Sequence, residues 1–245
     1  MARSRAVRPN TPTQPGAARR SRAAKEDGVE LTRKRILQAS KVVRIQDHAL
    51  ACDFIRQRQQ RGIDQYDEVW DGVYVVPPLA NNPHQDVVGA LCSLFFQAIT
   101  LEGRGSVFPG ANVSDRRTGW ENSFRCPDVV VVLEGGRAVD CGTHWYGGPD
   151  FLVEIISPDD ETEAKLPFYS QIQVRELLIV HRVTRDLHLF RHDGRQLLGV
   201  SSTDHHGKKW LLSEVLPFAF RRTVAHGVPR TEVERTEGSP GHWIV

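Results

Sequence analysis

The chain has 245 residues, with 32 Lys and Arg against 30 Asp and Glu and 40% hydrophobic residues. That length holds one domain of about 150–200 residues plus extensions, enough to bury a core. No run of 18 apolar residues is present to span a bilayer, and the opening MARSRAVRPN lacks the apolar stretch of a secretory signal. A cytoplasmic protein without membrane association is expected.

The net charge of +2 is unevenly spread. Residues 1–35 carry ten Lys or Arg and three acids (Glu26, Asp27, Glu30), a net of +7 that leaves −5 for the rest. Residues 1–30, rich in Arg, Pro, Ala, Ser and Thr, have little to bury and are expected to form a disordered basic tail. Such a tail suits the phosphate backbone of a nucleic acid, or simply solubility.

A helical extension is expected over 31–60, where Ile36, Val43, Leu50 and Ile55 recur among charges. The main domain then runs over 61–225, followed by a tail at 226–245. WDGVYVVPP (70–78) reads as a strand entered by an Asp-Gly turn and closed by two prolines. From Gln85 to Glu102 the period changes, and Val87, Val88, Leu91, Leu94, Phe95, Ala98 and Ile99 share one helical stripe.

GRGSVFPGANVSDR is turn-prone with one strand, and the apolar runs CPDVVVV (126–132) and DFLVEIISP (150–158) are strands. Residues 159–173 have helical composition, and Pro167 is tolerable only in a first turn, so that helix begins near Leu166. ELLIVH and RDLHLFR are strands, HDGR (192–195) is a hairpin turn, and SSTDHHGKKW is a second hairpin loop. The order of elements gives an α/β fold with a mixed sheet flanked by helices.

Cys52, Cys92, Cys126 and Cys141 fall in apolar patterns without C-x-x-C spacing and read as small buried hydrophobes in a reducing compartment. A zinc site from Cys126, Cys141 and nearby histidines lacks the usual close ligand pairs. The spacing of His188, His192, His205 and His206 fits exposure on strands and hairpin loops better than metal binding. No phosphate-binding glycine loop, serine nucleophile elbow, H-E-x-x-H motif or helix-turn-helix signature is present.

The chemistry is carried by Asp128 and Glu154, each one acid within a β-branched run. An ionised carboxylate there costs several kcal/mol to bury without compensation, and a divalent cation is the common compensation for two of them. Adjacent strands would bring both acids to one sheet edge, with the Ile155 carbonyl as a further oxygen ligand. Such hard oxygen donors suit Mg²⁺, or Mn²⁺, in phosphodiester hydrolysis.

Taken in order, YDEVWDGVYVVPP (66–78), PHQDVVGAL (83–91), CPDVVVV, FLVEIISP, Lys165 four residues before Tyr169, VRELLIVH (174–181) and DLHLFR (186–191) resemble the Uma2 family, restriction-endonuclease-like proteins of the PD-(D/E)XK nuclease fold. The resemblance implies a Mg²⁺-dependent endodeoxyribonuclease acting on DNA, with Asp128 and Glu154 as metal ligands. The lysine of the textual motif would fall at Ile156. The resemblance supplies Lys165 instead, from the following helix, and it adds Glu68 and His84 as groups near the attacking water. Restriction enzymes of this fold often pair, which implies a homodimer. The alternative is a catalytically idle module that keeps the fold and binds nucleic acid or a protein partner.

Overall fold

The computed structural model describes residues 42–78, 80–157 and 162–245. The basic tail expected at 1–30 and the start of the expected helical extension lie outside the described residues. Within that extension the chain first forms a strand, β1 (Val43–Ile45), and only then a helix, α1 (His48–Arg61). The helix starts there because the Asp47 side chain accepts from the Leu50 N–H at 2.9 Å, satisfying one of the orphan donors of its first turn. It stops at Gly62, whose φ of 62° only glycine adopts cheaply.

β2 (Glu68–Trp70) and β3 (Val73–Val76) are joined by Asp71 and Gly72, both at positive φ, as the Asp-Gly signal predicts. α2 (Asn82–Phe95) begins three residues before the expected position. Asn81 caps it and Pro83 sits in its first turn, where no N–H is needed. It continues into a π-helical turn at Phe96–Thr100. Short strands follow: β4 (Gly105–Pro109), β5 (Val113–Ser114), β6 (Phe124–Arg125), β7 (Val129–Leu133), β8 (Val139–Asp140), β9 (Trp145–Tyr146) and β10 (Phe151–Ile156).

A 3-10 turn at Thr162–Lys165 leads into α3 (Leu166–Gln171), which starts at Leu166 with Pro167 in its first turn. Then come β11 (Glu176–His181), β12 (Leu187–His192), β13 (Leu197–Gly199), β14 (Thr203–His205), β15 (Lys208–Leu212), β16 (Phe218–Ala225), β17 (Val228–Arg235) and β18 (His242–Ile244). Both expected hairpins, β12–β13 and β14–β15, form.

Three sheets result. The central one has the order β13-β12-β11-β10-β7-β4, and in it β10 and β11 are the parallel pair. A second joins β1-β3-β2-β6-β5-β9-β8, and a third joins β14-β15-β16-β17-β18. Side chains alternate along each central strand. Val129, Val131, Phe151, Val153, Leu178 and Val180 enter a core with α2 and the third sheet, whereas Val130, Leu152, Leu177 and Ile179 face α3.

Residues 226–245, expected to be a tail, belong to this core. β17 pairs with β16 over eight residues through a turn at His226 and Gly227, both at positive φ, and Val233 is fully buried with Phe218 and Phe220. Alternating apolar residues are sparse in VPRTEVER, so its strand character depends on the partner it meets. The cysteines also differ from expectation. Cys126 is buried, but Cys52 is exposed and Cys92 and Cys141 are half-buried, Cys92 at the margin of the core that α2 covers.

Candidate active site at the end of the central sheet

The antiparallel ladder between β7 and β10 ends at Val129 and Val153. One step further along that register stand Asp128 and Glu154, on the same face as Val130 and Leu152, because side chains repeat every second residue. Asp128 Oδ2 accepts from the Ile155 N–H at 2.7 Å, so its carboxylate replaces the ladder bond that a longer strand would have made. The Ile156 carbonyl accepts from Arg182 on the β11 side. Strand alternation therefore turns the Ile155 carbonyl toward the Asp128 side.

Parallel strands need a crossover, and the crossover from β10 to β11 is α3 with the turn before it. It lies over the face that carries Glu154. The Tyr169 hydroxyl donates to Glu154 Oε1 at 2.5 Å, and the Lys165 ammonium donates to the same oxygen at 3.1 Å. Lys165 also donates to Glu68 Oε1 at 2.8 Å. Glu68, at the start of β2 in the second sheet, is held by the Trp70 indole N–H at 2.6 Å and the Cys126 N–H at 2.8 Å. On the other side His84 Nε2 lies 3.3 Å from Asp128 Oδ1, where the capped start of α2 presents its first turn.

All five side chains singled out in the sequence thus line one cavity of about 360 Å³. Burial, with Asp128 and Glu68 adding to it, pushes the Glu154 carboxyl up to about 8 even with Lys165 in contact. Burial works against the Lys165 ammonium, but Glu154 and Glu68 outweigh it and hold its pKa well above the ordinary value. Burial lowers and Asp128 raises the His84 imidazole, with a net upward shift. One lysine thus bridges two buried acids, Glu68 and Glu154, beside a third, Asp128, that faces His84.

These observations bear on a divalent ion. The donors offered, Asp128, Glu154 and the Ile155 carbonyl, are oxygens of the kind Mg²⁺ takes, and that ion commonly uses one or two carboxylates and keeps its own water. The desolvated Glu154 carboxyl, with Asp128 and Glu68 close by, and the partnerless buried Nδ1 of His84 fit an ion and its water in the cavity. The side-chain donors are not gathered into a tight trio, because Lys165 stands between Glu68 and Glu154.

Sequence reasoning missed several contributors. Asp150, buried just before β10, pairs with Arg175 at 2.9 Å. Tyr169 packs against the sheet, and its hydroxyl also holds Glu154. Arg125 is buried, stacked over Phe168 at 4.2 Å and Trp70 at 4.9 Å, with Nη1 donating to the Val69 carbonyl. An arginine in a two-residue strand gives no local signal of this. Cys126 and Cys141 join no close group of metal donors among the described residues.

A mixed sheet flanked by helices, with two strand acids beside a crossover lysine, defines a restriction-endonuclease-like α/β fold. The model of the Uma2 family, described as "Putative restriction endonuclease", matches residues 53–225, and the chain belongs to that family. A solved structure that matches, described as "a putative nuclease belonging to DUF820 from Anabaena variabilis ATCC 29413", is 13% identical with a TM-score of 0.43, covering 58% of this chain and 82% of that one. So distant a likeness adds nothing to the reading of the site. No curated protein matches. Among the described residues no helix is long and apolar enough to cross a membrane.

Proposed function

We propose that the chain is a divalent-metal-dependent endonuclease that hydrolyses phosphodiester bonds in DNA, with Mg²⁺ or Mn²⁺ as its ion. The observation that carries this reading is the meeting of Lys165 with Glu154 beside Asp128, three residues drawn from two adjacent strands and the crossover after them. Asp128, Glu154 and the Ile155 carbonyl would hold the ion, which supplies activation of an attacking water and neutralisation of phosphate charge.

The chain's own groups divide the remaining work. The Lys165 ammonium, fixed between Glu68 and Glu154, orients the nucleophile and offsets the negative charge that grows on the phosphate oxygens. Tyr169 fixes the rotamer of Glu154, and the Ile155 N–H fixes that of Asp128. His84 supplies a proton at Nε2 toward Asp128 Oδ1, close enough to adjust that carboxylate as the substrate arrives. The apolar walls of the cavity, Val88 and Val75 among them, limit bulk water and strengthen each of these interactions.

Supercoiled plasmid incubated with Mg²⁺ or Mn²⁺ tests the proposal. Nicking that EDTA abolishes, and that Asp128→Asn and Lys165→Met abolish, is the expected result. Absence of cleavage by the wild type on plasmid, single strands and RNA would discard it in favour of a fold that binds without cutting.

A further inference from the structure

A second group of donors lies in the third sheet, away from the cavity. β14 ends at His205 and β15 begins at Lys208, and the turn between them, His206 and Gly207, has φ of 53° and 71°. Two left-handed residues are what a tight hairpin requires, and glycine fills the second position in the ordinary way. Histidine in the first is unusual, since a Cβ disfavours that conformation. Its effect is to bring two successive imidazoles together, with ring centroids 4.1 Å apart, where neighbours along a strand would point to opposite faces.

Both rings face one oxygen. His205 Nε2 and His206 Nε2 each lie 3.6 Å from Glu234 Oε1 on β17. The three donor atoms lie within 4.8 Å of one another, the one group of His, Cys, Asp or Glu among the described residues to do so. A separation of 3.6 Å is long for a hydrogen bond, but two donors each about 2.1 Å from a tetrahedral ion stand about 3.4 Å apart. His206 is exposed, so its ring can rotate by the small amount that closes the set.

We propose that His205, His206 and Glu234 form a second metal site, selective for a zinc-like transition cation, that ties the β14–β15 hairpin to β17. Two imidazole nitrogens and one carboxylate oxygen suit Zn²⁺ and its neighbours, whereas Mg²⁺ prefers oxygen donors throughout. The site opens on a depression of about 500 Å³ walled by Trp210, Glu232 and His242, which leaves room for solvent or a small ligand in a fourth position. His242 is occupied with Glu232 at 2.8 Å and is not needed as a ligand. This inference is independent of the nuclease reading.

The test is calorimetric titration of the full chain with ZnCl₂, alongside Co²⁺ as a visible probe of four-coordination. His206→Asn is the informative variant, because asparagine tolerates the left-handed turn and preserves the hairpin. One Zn²⁺ per chain at micromolar affinity is expected for the wild type and for Asp128→Asn, with at least tenfold weaker binding and loss of the Co²⁺ bands in His206→Asn and in Glu234→Gln. Zn²⁺ binding unchanged in both of those variants, binding lost in Asp128→Asn instead, or no binding at micromolar concentration would each overturn the proposal.

Discussion

The Lys165 ammonium and the Glu68 carboxylate meet at 2.8 Å across 97 residues of chain. Glu68 opens a strand of the second sheet and Lys165 closes the turn before α3, so the pair joins two layers that share no backbone ladder. Both side chains are largely buried, at 13% and 4% exposure. Removing either partner therefore strands a charge in a poorly solvated place.

Lys165→Met should cost about 3–5 kcal/mol at pH 8, the usual cost of breaking a buried pair from one side. Glu154 and Glu68 would face each other with nothing between them. The loss should shrink as pH falls through about 8, where Glu154 takes up a proton, and should shrink again on adding Mg²⁺. Urea denaturation at pH 8 and pH 6, with and without the ion, measures this, and a variant as stable as the wild type at pH 8 would contradict the electrostatic account.

Asp128→Asn should abolish cleavage while leaving the fold intact. The asparagine oxygen still accepts the Ile155 N–H, so the strand end stays formed and the melting temperature should move by only a few degrees. Activity should fall by at least about a hundredfold, as expected when a preorganised charge is lost from a reacting centre. Plasmid nicking and a circular-dichroism melt on one preparation separate the two effects.

The pH dependence follows from Glu154. Its carboxyl, at about 8 in the fold against an ordinary 4.5, keeps a proton that the unfolded chain has released. The metal-free fold therefore loses stability from this group as pH rises from about 4.5, and the loss levels off above about 8. An ion must displace that proton, so Mg²⁺ affinity should climb about tenfold per pH unit below 8 and flatten beyond it. Mg²⁺ titrations from pH 6 to 9 would show this, and an affinity flat across the range would refute it.

Tyr169→Phe removes one hydroxyl and no carbon. It leaves Glu154 Oε1 with Lys165 alone, at a cost of about 1–3 kcal/mol for a buried acceptor stripped of a donor. The Glu154 carboxyl should rise further, which moves the pH at which Mg²⁺ affinity flattens upward. Unchanged stability together with an unchanged midpoint would show the hydroxyl to be a bystander.

Ending the chain at residue 226 should prevent stable folding. β17 would be lost, with fully buried Val233 and the Glu102–Arg235 ion pair. Limited proteolysis of the shortened protein, compared with the full chain, reports whether a resistant domain survives.

The strand acids were legible because each interrupts an apolar run, and the antiparallel pairing of β7 with β10 then sets them on one face. Glu154 needed only FLV before it and II after it to be recognised as buried. Lys165 was not legible from spacing, since its approach to Glu154 depends on β10 and β11 being parallel and on α3 crossing over the correct face. Resemblance supplied it, and the packing brings it to Glu154 and Glu68. Arg125 and Trp70 stayed hidden because they meet through the pairing of β2 with β6, two strands far apart in the sequence. The C-terminal strands were hidden for a related reason, as their apolar content is low until β16 provides a partner.

Asp128 divides its two oxygens between structure and chemistry, one taking the Ile155 N–H and the other turned toward His84. The Ile155 amide is consequently a reporter built into the backbone. Its exchange with solvent deuterium, and its proton chemical shift, register the charge state and occupancy of the carboxylate beside it. One nuclear-resonance signal can follow ion binding, substrate arrival and the opening of that strand end without any label being added to the protein.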